Sequence, residues 1–359
     1  MDPRPADPVC GKPVTVEATT LTAECDGKTY YFCSKACQEK FVCHPDKRLS
    51  DYVYDLIIVG GGPAGISAGI YAALADVDTL FLTSSLGGQA WDSTAVVNYP
   101  GFELISGPDL IDRFQKQLFE SLRLAHQICR VTRIEKRGEF FHVTTDDGET
   151  FRSRTVLLTT GMKRRRLNIP GEEELRGKGV LEFHALLAER YRGKEVAVVG
   201  GGNSAAQAAL GLAGKGARVV LVTRGYKADA YLQDQVAAAP EITVLRNRDP
   251  VRIEGTERVE VLVVRNLDTG GEEVIPVEAV FVEIGLVPNS DLVRDLVHLN
   301  ERGEVEVDGN CRTGLPGLYA AGDVSNTFGK RILIAAGEGA KAVLAISRYL
   351  QERTRRQAG

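Results

Sequence analysis

From residue 54 onward, continuous apolar runs alternate with glycine-rich turns and alanine-rich segments of helical spacing. Leu56-Ile57-Ile58-Val59 predicts a buried strand, which is followed by a glycine turn, an alanine-rich helix over 66–74 and a second strand over 79–82. Strand, turn, helix and strand in that order make a βαβ unit. The same order returns later: a strand over 195–199, the turn Gly200-Gly201-Gly202-Asn203, a helix over 205–212 and a strand over 218–222. Two nucleotide-binding folds are therefore expected in one chain. Alternating β-rich stretches over 139–145 and 259–265 and a final helix over 333–350 complete the pattern, with no short-period repeat or low-complexity tract.

The first fifty residues break from this pattern. Of seven cysteines, Cys10, Cys25, Cys33, Cys37 and Cys43 precede residue 44, leaving Cys129 and Cys311 for the rest. The polar, turn-prone stretch over 45–51 predicts a link, so a separate head over 1–50 is expected. At 359 residues the chain has room for two or three domains. A formal charge of -4 gives no global attraction to nucleic acid or an anionic membrane surface. No apolar run approaches the ~20 residues that span a bilayer, and residues 1–5 do not resemble a signal peptide. A cytoplasmic protein with no nucleic-acid or membrane partner is the expectation, and clustered cysteines there point to metal or redox chemistry rather than a disulfide framework.

Gly60, Gly62 and Gly65 form GxGxxG between a strand and a helix, with Pro63 and Ala64 opening the helix. The first glycine permits the tight turn, the second lets a pyrophosphate approach, and the third lets helix pack on strand; the helix amino end then faces the phosphates. The second turn keeps Gly200 and Gly202, with Asn203 and Ser204 entering the helix and Ala205 in the third place, a common variant. Glycine turns also join strands to helices for packing alone, and a second copy counts against that reading. The strand after the second turn ends Val222-Thr223-Arg224-Gly225-Tyr226-Lys227. An acid there accepts from a ribose 2′-hydroxyl, whereas a cation pairs with a 2′-phosphate. Arg224 and Lys227 thus favour NADPH and leave NADH open; a solvated surface is the alternative for both.

The first unit ends its second strand at Phe81-Leu82-Thr83, without an acid for an adenine ribose. The stretches Leu86-Gly87-Gly88-Gln89 and Asn98-Tyr99-Pro100-Gly101, with Thr160-Gly161 and the late run Gly317-Leu318-Tyr319-Ala320-Ala321-Gly322-Asp323, resemble the thioredoxin reductase family, which also lacks that acid. Residues 227–350 are similar to the flavoprotein subunit of alkyl hydroperoxide reductase, notably in Phe281-Val282-Glu283-Ile284-Gly285-Leu286-Val287-Pro288-Asn289 and Ala336-Gly337-Glu338-Gly339-Ala340-Lys341-Ala342. The resemblance implies an α/β fold of two Rossmann-like domains, three-layer ββα, with a small Cys-rich α+β head. An FAD domain over 51–167 and 286–359 is interrupted by an NAD(P)H domain over 168–285. It implies FAD contacts at Gly60, Gly62, Pro63, Ala64, Gly65, Gly88, Gln89, Asn98, Thr160, Gly161, Gly322, Asp323, Arg331 and Ile332. NADPH contacts fall on Gly200, Gly202, Asn203, Ser204, Ala205, Arg224 and Lys227. A homodimer is implied too.

In that family a CxxC lies just before the second nucleotide strand; counting back from Gly200 puts Phe183 and Leu186 there. The dithiol relay is absent, and Cys129 and Cys311 are isolated. Hydride transfer from nicotinamide to flavin needs alignment more than side-chain chemistry, so that half-reaction survives and the electrons leave to an unidentified acceptor. His184 is a candidate proton donor or a packing histidine. The run Lys163-Arg164-Arg165-Arg166 is a solvated face or a dock for an acidic redox protein, which would make the chain a ferredoxin or flavodoxin reductase. The head resembles YHS or TRASH domains, with Cys10, Cys33 and Cys37 as thiolates for Zn or Cu, and Cys25, Cys43 and His44 as fourth-ligand candidates. A metal sensor or metallochaperone with a silent flavin domain is the remaining alternative.

Overall fold

The computed structural model describes residues 7, 14–15, 21–25, 28–35, 38, 52–93, 96–121, 124–183 and 185–358. Cys10, Cys37, Cys43, His44, the expected link over 45–51 and His184 lie outside the described residues. In the head, the strands Thr22–Cys25 and Lys28–Tyr31 pair antiparallel, Phe32 is fully buried, and the Cys33 N–H donates to the Asp7 carboxylate at 2.7 Å.

The chain divides into a unit formed by Met1–Met162 with Pro288–Gly359 and a unit over Lys163–Val287. The first unit is built on the strand Val53–Gly61, whose apolar run places it at the centre of a sheet, parallel to both Thr79–Leu86 and Thr150–Leu158. Ala125–Ile128 extends the sheet on one side, Phe140–Thr145 and Val131–Arg137 extend it on the other, and Leu318–Ala320 joins Thr150–Leu158 in parallel. One face carries the helix Pro63–Leu74 and the long helix Ile332–Ala358, packed through Ile66, Ile70, Val343 and Ile346. The other face closes over Ile57, Phe141, Val143 and Val305.

The second unit has a parallel sheet in the order Val180–Leu181, Ala279–Val282, Glu195–Val199, Arg218–Thr223, Ile242–Arg246. The helices Asn203–Ala213 and Ala230–Ala238 cover one face. The antiparallel strands Arg248–Glu254, Val261–Asn266 and Glu272–Pro276 cover the other through Ile253, Leu262 and Val264. These layers are the three-layer arrangement expected from the sequence.

The division falls at 162/163 and 287/288, not at the expected 167/168 and 285/286. Leu167 and Ile169 pack into the second unit's core, and the Arg165 N–H donates to the Gly285 carbonyl at 3.0 Å, so the second unit begins earlier and ends later than the resemblance implies. The final helix also outruns its expected end at 350. Its last turns are charged and carry no apolar stripe, but Arg348 pairs with Glu352 at 3.4 Å and Arg353 with Glu139 at 3.2 Å.

The two helices on the first sheet approach to backbone contact. A Cβ at Gly339 would stand 1.9 Å from the Ala64 carbonyl oxygen, whereas one at Gly337 would meet nothing within 4 Å. Gly339→Ala therefore forces the helices apart and is expected to destabilise by about 1–3 kcal/mol, as overpacking does. Gly337→Ala, exposed in the same helix, is expected to stabilise by about 0.5–1 kcal/mol. Thermal melting of both variants checks the pair; equal shifts would remove the close approach from the account.

Candidate functional site

In the first unit the three motif glycines have different surroundings. Gly60 has φ +117°, and a Cβ there would lie 2.5 Å from the Thr159 carbonyl oxygen; a Cβ at Gly65 would lie 1.9 Å from the Gly60 oxygen. The Thr159 hydroxyl fastens this contact by donating to the Val59 and Gly60 carbonyls at 3.0 and 2.9 Å. A Cβ at Gly62, by contrast, would point into open space. Packing explains the outer two glycines and leaves the middle one facing the region where a phosphate group would sit. The helix Pro63–Leu74 begins at Pro63 with no acidic residue in its first turn and no side-chain cap among the described residues. Its first N–H groups thus remain available to an anion.

Around this turn the strand end folds back at Gly88, whose Cβ would lie 3.3 Å from the Gly62 Cα, and the Gln89 amide donates to the Met162 carbonyl at 2.5 Å. Asn98 is exposed. Thr160 and Gly161 are locked to Asn289: the Thr160 hydroxyl donates to the Asn289 carbonyl at 2.7 Å, the Asn289 amide returns a bond to the Thr160 carbonyl at 2.8 Å, and the Asn289 N–H donates to Gly161 at 2.9 Å. Gly322, at φ +76°, would place a Cβ 2.9 Å from the Ala64 Cβ, which sets Asp323 beside the start of the helix Pro63–Leu74. Burial raises the Asp323 pKa above its ordinary value; Glu338 adds to the rise, while Lys330 and Arg331 oppose it. Arg331 is exposed, its guanidinium donating to the Lys330 carbonyl at 2.8 Å, and Ile332 opens the final helix.

Glu338 and Asn289 organise this turn and were not among the expected site residues. Glu338 is buried, and its carboxylate accepts from the Gly322 N–H at 3.0 Å, the Ser325 hydroxyl at 3.3 Å and the Thr327 hydroxyl at 2.6 Å, with Lys341 at 3.5 Å. The available signal was a glutamate inside an otherwise alanine- and glycine-rich apolar helix face, a position that needs such partners.

The second unit repeats the design. Gly200 has φ +152° and would place a Cβ 2.2 Å from the Glu283 carbonyl oxygen, Gly201 would place one 2.1 Å from the Gly225 oxygen, and Gly202 faces open space. Ala205 is fully buried behind the turn. The helix Asn203–Ala213 has no acidic residue in its first turn and no side-chain cap among the described residues. Before it lies a cleft of about 860 Å³, lined by Gly200–Ser204, the strand end from Val222 to Gly225, Lys227 and the segment Glu283 to Gly285. The Asn203 side chain exchanges hydrogen bonds with Asp229 at 2.7 and 2.8 Å, and the Lys227 N–H ties the loop to the Gly201 carbonyl at 2.7 Å. Arg224 lies at the cleft with its guanidinium forked onto Asp249, at 2.6 and 2.8 Å.

Phe183 is half-buried and packs against the second unit's core. A Cβ at Gly211 would strike its ring at 2.5 Å, Phe281 meets it edge-on at 6.3 Å, and its N–H donates to the Glu283 carboxylate at 3.0 Å. Burial raises the Glu283 pKa, with Glu182 adding and Arg164 opposing. The remaining body thiols do not replace a dithiol: Cys311 is fully buried with its pKa pushed up to about 11 by burial, and half-buried Cys129 directs its thiol at the Gln127 carbonyl. Within the basic run, Arg164 pairs with Glu182 at 2.7 Å and Arg166 with Glu173 at 2.8 Å. In the head, exposed Cys33 is the one of the three expected thiolates Cys10, Cys33 and Cys37 among the described residues, and the fourth-ligand candidate Cys25 ends the strand Thr22–Cys25; no group of three or more His, Cys, Asp or Glu side chains forms a metal cluster among them. Nor is any described helix long and apolar enough to cross a membrane.

Residues 54–342 match the family described as pyridine nucleotide-disulphide oxidoreductase, and residues 6–51 match the YHS domain. The chain is 37% identical over 299 residues to an alkyl hydroperoxide reductase subunit of Staphylococcus aureus, covering 83% of this chain and 59% of that protein. It is 36% identical to an NADH dehydrogenase of Bacillus subtilis, covering 83% of this chain and 58% of that protein. It thus spans under two thirds of the length of these curated relatives. Among solved structures it is similar to thioredoxin reductase of Lactococcus lactis, at 32% identity and a TM-score of 0.68, covering 83% of this chain and 99% of that one.

The raised Asp323 pKa has a consequence for stability. In the window between the unfolded value, about 3.9, and the higher folded value, the folded state binds more protons than the unfolded state. Stability is therefore lost as pH rises through that window, and the deficit persists above it. An asparagine carries no charge to bury. Flavin-depleted Asp323→Asn is expected to melt above flavin-depleted wild type at pH 7–8, with the gap closing below about pH 4. A variant that melts lower at pH 7 would show that Lys330 and Arg331 outweigh burial.

Proposed function

The chain belongs to the pyridine nucleotide-disulphide oxidoreductase family, and from that premise we propose that it oxidises NADPH and delivers the electrons to an external acceptor without an internal dithiol. It is an FAD-dependent NAD(P)H oxidoreductase of the thioredoxin reductase type with an N-terminal YHS domain. FAD, when bound, supplies a carrier that takes a hydride from nicotinamide and passes electrons on.

The observation that carries this reading is the matched pair of open glycines. Gly62 and Gly202 each face empty space ahead of a helix amino end with no side-chain cap among the described residues, while Gly60, Gly65, Gly200 and Gly201 are closed against backbone. Those two cradles fit two dinucleotides. Gly62 and the first turn of Pro63–Leu74 would hold the FAD pyrophosphate, with Gly88, Gln89, Thr160 and Asp323 arranged around it. Gly202, Asn203 and Ser204 would hold the nicotinamide dinucleotide, with Arg224 and Lys227 at the strand end for a 2′-phosphate. The protein's contribution to hydride transfer is alignment, exclusion of water and fixed dipoles, none of which calls for a side-chain acid or base.

Phe183 supports the absence of the relay: at the first position of the missing CxxC it is an aromatic plug between Gly211 and Phe281. The internal pairing of Arg164 and Arg166 reduces the charge the basic run could offer an acidic carrier, which favours an acceptor recognised by other means.

The test separates the two cradles. Gly62→Val is expected to purify with little FAD. Gly202→Val is expected to keep FAD and its yellow colour but to lose at least tenfold in NADPH-dependent ferricyanide reduction, since a side chain fills the pyrophosphate's approach. Full FAD in Gly62→Val, or full activity in Gly202→Val, would contradict the assignment.

A further inference from the structure

By residue type, Arg224 marks a site for a 2′-phosphate, yet its charge is already engaged. Its Nε and Nη2 donate to the two Asp249 oxygens at 2.6 and 2.8 Å, a bidentate pairing of the kind an arginine would otherwise offer a phosphate. Asp249 belongs to the strand Arg248–Glu254, where its backbone is registered opposite Arg265, and it lines the same cleft as the Gly200 turn. The two partners differ in how firmly they are held: the Arg224 side chain is 72% exposed, that of Asp249 27%. The acid is therefore the fixed half of the pair and the arginine the adjustable half.

Resting on the reading of this cleft as the nicotinamide dinucleotide site, we infer that Asp249 is the residue that sets the choice between NADPH and NADH. A 2′-phosphate reaching Arg224 must either break the fork or bring roughly 1.5–2 negative charges beside a carboxylate. A 2′-hydroxyl meets no such conflict, because it can donate to Asp249 while the fork stays closed. Two of the neighbouring cations are themselves paired with acids. Arg248 is paired with Glu273 at 2.9 Å and stands 3.8 Å from Asp268, and Arg166 is paired with Glu173 at 2.8 Å, so exposed Lys227 and Arg165 are the cleft's further cations. The Arg224–Asp249 pair thus weakens an otherwise NADPH-type strand end and holds both coenzymes within reach.

The test uses the FAD-loaded full chain, reading the dissociation constant and limiting rate of anaerobic flavin reduction with each coenzyme, and calorimetric binding of adenosine 2′,5′-bisphosphate against 5′-AMP, which needs no turnover. Wild type is expected to show efficiencies for NADPH and NADH within about tenfold of each other. Asp249→Asn frees the guanidinium and should raise the NADPH-to-NADH ratio at least tenfold, the size of a charge-assisted contact, carried by the NADPH dissociation constant. Adenosine 2′,5′-bisphosphate should tighten by a similar factor and 5′-AMP should not. Adding Arg224→Ala should abolish both gains. Because Arg224 is well exposed, releasing it strands no buried charge and the variant should fold. Equal changes for both coenzymes, or no change for the bisphosphate, would overturn the role of Asp249 while leaving flavin reduction intact. If neither coenzyme reduces the flavin, the functional reading itself fails; tightening of the bisphosphate alone would still support the Asp249 selector.

Discussion

Two backbone contacts too close for any side chain position both sites: Gly60 against the Thr159 carbonyl and Gly200 against the Glu283 carbonyl. Each brings a strand end against its neighbour and aims a helix amino end at the open glycine that follows. Without that closeness the helix would start farther from the sheet, and its free N–H groups would meet water rather than a bound anion. The long helix Ile332–Ala358 reinforces the first contact, because Gly339 admits the Ala64 carbonyl and Glu338 ties down the Gly322 turn. Helix packing and the candidate flavin site are thus one arrangement, so substitutions at its glycines act on stability and on binding together.

The first position of the family's dithiol is filled by packing rather than vacated. Phe183 is held by Gly211, Phe281 and a backbone bond to Glu283, so the first of the two thiol positions is taken up by packing against the second unit's core. Of the thiols in the body, Cys311 has its pKa near 11 and carries almost no thiolate at neutral pH. The body can therefore store electrons on its flavin and not on a disulfide, which makes the identity of the acceptor a question about the protein's surface or its YHS head.

Much of this was legible locally. Both βαβ units, both glycine turns and the Gly317–Asp323 run depend on neighbours within a few residues, and their sequence patterns located the elements to within a few positions. The features that local patterns do not show depend on long-range partners. Asn289 reaches back to Thr160, Glu338 to Gly322 and Asp249 to Arg224. No spacing rule connects such pairs, so Arg224 reads as a free cation in the sequence and as half of an ion pair in the fold. The first unit boundary moved for a similar reason: Leu167 joins the second core and the Arg165 N–H reaches the Gly285 carbonyl, contacts that a resemblance in sequence does not report. The sites proposed for Cys10, Cys37 and His184 rest on sequence alone.

The central claim is that the body carries one two-electron centre, a flavin, with no thiol pair behind it. Anaerobic titration of the FAD-loaded protein, stripped of metal and with head thiols blocked, counts those centres directly. The account predicts a single break at about one equivalent of NADPH per flavin, coincident with full bleaching, because each equivalent delivers one hydride. A break near two equivalents would reveal a second two-electron store and contradict the assignment of Phe183 and its neighbours as the end of the thiol relay.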